Sequence, residues 1–350
     1  MTNASVMPDT TTLATVTPTL DPLVRLLASD MERVNATIIT RMGSDVPLIP
    51  QLAGHLIAAG GKRMRPLLTL AGAKLVEADA AGREPAVKLA TAVEFIHSAT
   101  LLHDDVIDES DLRRGRDTAN ALWGNDASVL VGDFLFARAF ELMVEGGNIA
   151  VLGRLSQASA MITEGEIRQM AMTGEPATAM DEYLRVINGK TAVLFAAAAA
   201  AGAQIAGGSD AAITAMDRYG TALGIAFQIM DDALDYTADA AAMGKNVGDD
   251  FTDQKVTMPV ILAYQDGDTT ERAFWDRTLG AGDQNAGDLA TAQEILTTHD
   301  AINRSLAAAA DYVADAIDAL GPFRASSIAE TATLAEAMAS AAAYAAQRKS

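Results

Sequence analysis

Residues 85–108 read PAVKLATAVEFIHSATLLHDDVID. A helical pattern runs through Leu89, Val93, Ile96, Thr100 and Leu101, which lays an apolar stripe along a long helix opened by Pro85. The stripe runs straight into Asp104, Asp105 and Asp108. Asp104 and Asp108 are four residues apart, so their carboxylates share one helix face about one turn apart. Like charges at that spacing destabilise a bare helix by roughly a few tenths of a kcal/mol. Carboxylates embedded in an apolar helix fit a plain solvated face poorly. A divalent cation between them removes the conflict.

The helical period continues on both sides of this segment. Asp21-Pro22 reads as an N-cap followed by proline at the first helical position, and Val24, Leu27, Met31, Val34 and Ile38 form a buried stripe. Gly60-Gly61 stops the next segment and Pro66 opens another. Further patterns cover roughly 126–145, 150–172, 180–206, 210–237, 256–265 and 301–346. The polar stretch from Asp266 to Asp288 reads as a surface insertion, and no segment alternates with period two, so no strand is expected. With no repeat and no Pro- or Ser-rich linker, the fold class is all-α. Residues 1–20, rich in Thr, Pro and Ala, are expected to be a flexible N-terminal tail ahead of a single helical domain at 21–350.

Composition narrows the function. Half of the 350 residues are apolar and 21% are charged, which is enough to bury a large core. The net charge of −20 excludes non-specific binding to nucleic acid or to an anionic membrane surface. The absence of cysteine excludes disulfides and thiolate metal sites. The apolar run Thr191 to Gly208 is mostly Ala and Gly with Gln204 inside it, so it is expected to be a packed core helix and not a transmembrane segment. No targeting signal is readable, and a cytoplasmic location is expected.

A second cluster, Asp231-Asp232-Ala233-Leu234-Asp235, repeats the first and also follows an apolar stretch, FQIM. One such cluster alone is more often a solvated acidic face; two in one chain reverse that balance. Their hard oxygen ligands suit Mg²⁺, which shares its shell with water and substrate phosphates. The complement is basic. Gly60-Gly61-Lys62-Arg63-Met64-Arg65-Pro66 places cations beside a glycine pair at a helix start, a good receptor for phosphate. Arg113-Arg114 follows the first cluster, and Lys190-Thr191, Lys245 and Lys255 lie near apolar segments. His97 lies seven residues, about two turns, before Asp104 on roughly the same face. Any of these alone is more often a surface or core residue; together they point to an anionic substrate.

The run from Val93 to Gly115 resembles the first aspartate-rich region of the trans-isoprenyl diphosphate synthases, the polyprenyl synthetases, and Phe227 to Tyr236 resembles their second. Gly61 to Pro66, Lys190-Thr191 and Gly244-Lys245 fall in that family's order. The run from Ile96 to Met143 is particularly similar to bacterial octaprenyl and decaprenyl diphosphate synthases. The resemblance implies an isoprenoid-synthase bundle with a central substrate cavity and a homodimer that condenses isopentenyl diphosphate with an allylic prenyl diphosphate. It implies that Asp104, Asp108, Asp231 and Asp235 hold Mg²⁺, with Asp105 and Asp232 in support. It further implies that Lys62, Arg65, His97 and Arg114 bind isopentenyl diphosphate. Arg113, Lys190, Thr191, Gln228 and Lys255, with Lys245 nearby, are implied to face the allylic substrate. Where the family has GlyAsp after the second cluster this chain has Thr237-Ala238-Asp239, and Gln254 replaces a glycine before Lys255. Neither change removes a charge that the chemistry needs.

Small Ala99 and Thr100, five and four residues before Asp104, stand where bulky aromatics stop growth in short-chain members, so a long product is expected. Met143, Phe140 and Leu155 are candidates for a deeper floor, against ordinary core packing. The destination implied is the side chain of respiratory quinones. The rivals are a synthase of farnesyl or geranylgeranyl diphosphate and a silent subunit of a two-part synthase. Silent partners usually lose an acidic cluster, whereas both are intact here.

Overall fold

The computed structural model describes residues 18–58, 61–77, 80, 83–113, 115–237 and 247–345. Eleven helices lead up to the second aspartate cluster: α1 (Asp21–Leu26), α2 (Ala28–Arg41), α3 (Leu48–Ala58), α4 (Met64–Val76), α5 (Glu84–Ile107), α6 (Ala119–Trp123), α7 (Asn125–Glu145), α8 (Ile149–Met172), α9 (Met180–Ile187), α10 (Val193–Ile205) and α11 (Asp210–Asp235). A π-helical turn, Asn188–Ala192, joins α9 to α10. Helices Asp249–Thr252, Met258–Asp266, Thr269–Trp275, Asp288–Thr298, Ala301–Ala319, Gly321–Arg324 and Ala329–Ala345 follow. The all-α class is therefore correct.

The Ala-rich run forms the centre. Together α9, the π turn and α10 make the one helical stretch among the described residues long and apolar enough to cross a membrane, and 83% of its most apolar window is buried inside the bundle. Small side chains let its neighbours approach to backbone contact. A Cβ on Gly202 would stand 2.0 Å from the Thr69 carbonyl oxygen of α4, and one on Gly220 of α11 2.5 Å from the Ala196 Cα. Around α10 lie α4, α11 and α8, while α5 packs along α7. The main core draws on all of these, and a second core gathers Tyr183, Ile229, Trp275 and Leu279.

Four expectations need correction. Asp21 is the first residue of α1 and not its N-cap; Leu20 holds that place without a side-chain cap. Val24 is exposed, and the buried stripe begins at Leu23 instead. The stretch from Asp266 to Asp288 is no surface insertion: helix Thr269–Trp275 opens with a capping box between Asp268 and Glu271, and Trp275 and Leu279 are fully buried. A short antiparallel hairpin also exists, pairing Leu112 with Asp117 and Arg113 with Arg116. At the chain's start, Leu20 is buried and Thr19 exchanges two hydrogen bonds with Ser340, while residues 1–17 lie outside the described residues.

Candidate active site

Both aspartate clusters sit in the last turn of a long helix, α5 and α11, and neither last turn carries a basic residue of its own. The helix dipole is negative there, so each carboxylate adds to an existing negative potential. Cations must come from elsewhere, and for the first cluster they do. Arg113 of the hairpin donates from Nε to Asp105 Oδ1 at 2.8 Å, and its Nη2 lies 2.6 Å from the same oxygen. Lys255 Nζ reaches Asp108 at 3.5 Å and Asp253 at 2.9 Å. Lys190 acts on Asp104: burial and the Glu166 carboxylate push the Asp104 carboxyl up to about 7, with Lys190 pulling the other way. The Lys255 ammonium is held above its ordinary range by Asp108, Asp250 and Asp253 against the opposing effect of burial.

The second cluster is held differently. Asp232 is buried and accepts from Tyr183 O–H at 2.6 Å and from Gln228 Nε2 at 2.7 Å. Burial raises its carboxyl to about 8, and the Asp250 carboxylate adds to the rise. Gln228 Oε1 in turn accepts from Thr191 Oγ1 at 2.8 Å, tying the π turn to α11. Asp235 is also buried, and its Oδ2 accepts the Asp250 N–H at 3.0 Å. That bond ties one Asp235 oxygen to the turn before Lys255. Asp231 is half-buried.

The basic motif is anchored residue by residue. Lys62 donates to Tyr344 O–H and lies 4.5 Å above that ring. Arg63, at φ 49°, pairs with buried Glu94 of α5. One turn further along α5, His97 Nε2 accepts from Arg65 Nη1 at 3.0 Å, and the Arg65 guanidinium lies 4.4 Å over Phe195. An arginine only donates, so the His97 proton belongs on Nδ1. Gln254 adopts the left-handed conformation at φ 56°, and its carbonyl accepts the Gly174 N–H. Gln254 thus holds a backbone conformation that favours glycine.

Lys190, Thr191, Gln228 and Asp232 form one connected region with Glu166, while Asp104, Asp105, Asp108, Arg113 and Lys255 form a neighbouring one. Arg114 and Lys245 lie outside the described residues. Among the described residues no three acidic or histidine side chains converge on a single point, so the carboxylates stand apart as placed. The donor set nevertheless suits Mg²⁺: hard carboxylate oxygens, crowded by like charge and helix dipoles. Of the length-controlling candidates, Ala99 and Leu155 are fully buried, and Met143 lines a small cleft with Leu89, Leu142 and Val151. Thr100 is half-buried with its hydroxyl on the His97 carbonyl. Phe140 is exposed and is therefore no part of an interior floor.

Sequence reading missed three participants: Glu166, Tyr183 and Asp250. Each is a single polar residue in a helical or turn pattern. The one available signal was Gly165, a glycine inside a strong helix, which marks a close crossing.

The polyprenyl synthetase family profile matches residues 46–296. The octaprenyl diphosphate synthase of Haemophilus influenzae is 41% identical over 301 residues, 86% of this chain and 90% of that one. A polyprenyl synthase from Caulobacter crescentus, solved with calcium and isoprenyl diphosphate, superposes with a TM-score of 0.90 at 47% identity, covering 96% of this chain and 99% of that one. A decaprenyl diphosphate synthase from Rhodobacter capsulatus does so at 0.88 and 49%, covering 95% and 100%.

Proposed function

The chain belongs to the polyprenyl synthetase family and is a prenyltransferase, and from that premise we propose a long-chain, all-trans polyprenyl diphosphate synthase. It extends an allylic diphosphate primer by successive isopentenyl diphosphate units. The observation that carries this reading is the first aspartate cluster, closed by cations from three separate elements.

Lys62, Arg65 and His97, with Arg114, bind the isopentenyl diphosphate; Arg113, Lys190, Thr191, Gln228 and Lys255, with Lys245, face the allylic one. Asp104, Asp108, Asp231 and Asp235 would hold Mg²⁺, which would supply Lewis-acid neutralisation of the diphosphate. Asp235 supports the turn that carries Lys255. Lys190 and Lys255 stabilise charge as the allylic C–O bond breaks and the diphosphate departs with the electron pair. The isopentenyl double bond attacks the allylic cation, a C–C bond forms, and a proton is lost to the departed diphosphate. The apolar helices keep water from quenching the cation.

The growing tail runs down α5 past Ala99 and Thr100 towards Met143. From Asp104 to Leu89, beside Met143, is fifteen residues of helix, or about 22 Å. A homodimer is supported by an exposed apolar stripe on α7 (Val129, Leu130, Phe140, Val144) that continues on α8 at Ile149, Ile167 and Met170. We further propose a cytoplasmic enzyme that hands its product to a membrane enzyme making quinones. The test is product chromatography after incubation with Mg²⁺, farnesyl diphosphate and labelled isopentenyl diphosphate. A ladder ending near about forty to fifty carbons supports the proposal. A stop at fifteen to twenty makes this a short-chain synthase. No incorporation by a folded sample that binds diphosphate points to a silent subunit.

A further inference from the structure

Lys190 donates to Glu166 Oε2 at 2.8 Å, with both side chains mostly buried at 22% and 17% exposure. The pair is held by a backbone crossing. A Cβ on Gly165 would stand 2.4 Å from the Lys190 nitrogen, and one on Gly189 would stand 3.2 Å from the Gly165 Cα. Lys190 lies in the π turn Asn188–Ala192, a local widening that helices use at functional sites. The crossing therefore fixes the two backbones from which Glu166 and Lys190 reach each other. Its position is otherwise unfavourable: a mostly buried carboxylate beside Asp104, in a site that must accept a diphosphate.

We propose that Glu166 is a positioning residue that competes with the bound diphosphate for the Lys190 ammonium, so that the diphosphate is held less tightly and released faster. This rests on the reading above that Lys190 faces the allylic diphosphate. An ammonium has three donors, so it keeps Glu166 while reaching a phosphate oxygen, but each partner weakens the other electrostatically. The carboxylate thus serves turnover at the expense of affinity. That is useful in an enzyme that must expel one diphosphate for every unit added.

The test is a double-mutant cycle on the full chain with Mg²⁺, using inorganic pyrophosphate as the titrant in calorimetry. E166Q keeps the shape and removes the charge, and it is expected to bind pyrophosphate about five- to twenty-fold more tightly. In a K190M background the same change is expected to have a much smaller effect. E166D keeps the charge on a shorter arm and falls between wild type and E166Q, which preserves the test should E166Q fold poorly. In steady state, E166Q lowers both KM for farnesyl diphosphate and kcat, whereas a merely structural defect raises KM. Unchanged or weaker pyrophosphate binding by E166Q overturns the proposal, and so does an undiminished effect in K190M. If the wild type makes no polyprenyl product while the cycle behaves as expected, the functional reading fails and the role of Glu166 stands.

Discussion

Two clusters with the same DDxxD spelling behave as different chemical objects. At the end of α5 the carboxylates meet side-chain cations from other elements: Arg113 on Asp105, Lys255 on Asp108 and Lys190 towards Asp104. At the end of α11 the described bonds to Asp232 and Asp235 come from a phenol, an amide and a backbone N–H. Ion pairs can be exchanged for a metal and an anionic substrate, because the cations and carboxylates find new partners at once. A buried carboxyl held by neutral donors cannot leave without stranding them. The ion pairs of the first cluster can thus exchange, whereas Asp232 in the second is held in place by neutral donors.

Substitution at Asp104 separates the two most sharply. Asp104→Ala should lower turnover by about a hundredfold to a thousandfold or more, as removal of a charge-stabilising group does, while circular dichroism and the unfolding midpoint stay close to wild type. Near-normal turnover would remove Asp104 from the metal site. Asp232→Ala should do the reverse in kind. It strands the Tyr183 hydroxyl and the Gln228 amide, and denaturant titration should show a loss of about 1–3 kcal/mol. An Asp232→Ala protein as stable as wild type would end the contrast between the clusters.

Smaller effects sharpen the picture. Ala99→Phe, one turn before the first cluster and fully buried, should shorten the product ladder if the tail runs along α5. An unchanged ladder would place the tunnel wall elsewhere. The smallest expected effect is a pH dependence. The folded Asp104 and Asp232 carboxyls, at about 7 and about 8, lie above their ordinary 3.8. The stability they contribute is therefore fully present below 3.8 and lost progressively as the pH rises from there to about 7 for Asp104 and about 8 for Asp232. Metal-free Asp104→Asn should lose less thermal stability than wild type across that window; equal losses would refute the shift.

Much of this was legible in the chain. Long helices with a continuous stripe, such as α5, carry a redundant signal, and one misplaced residue, as with Val24, does not alter the helix. The clusters and their cations were legible because charge is rare inside apolar helices. What escaped was set by distant partners. Trp275 is buried against Phe251 and Phe274, a contact that no local polarity count reveals in a stretch crowded with Asp and Gly. The hairpin has strands of two residues, too short for any alternation to be seen. Glu166 and Tyr183 gain their roles only from a crossing of helices and a buried carboxylate far away in sequence.

The latch between Thr19 and Ser340 has a consequence for how the chain comes to be. Those two residues are 321 positions apart, and α1 packs on the helix that contains Ser340. Thr19 leaves the ribosome 321 residues ahead of Ser340, so α1 emerges long before its docking surface is made. Throughout translation the buried Leu20 and Leu23 have no Ala329–Ala345 helix to lie against. The helix Ala329–Ala345 thus acts as a clasp for α1, and a nascent chain stalled before it leaves α1 undocked.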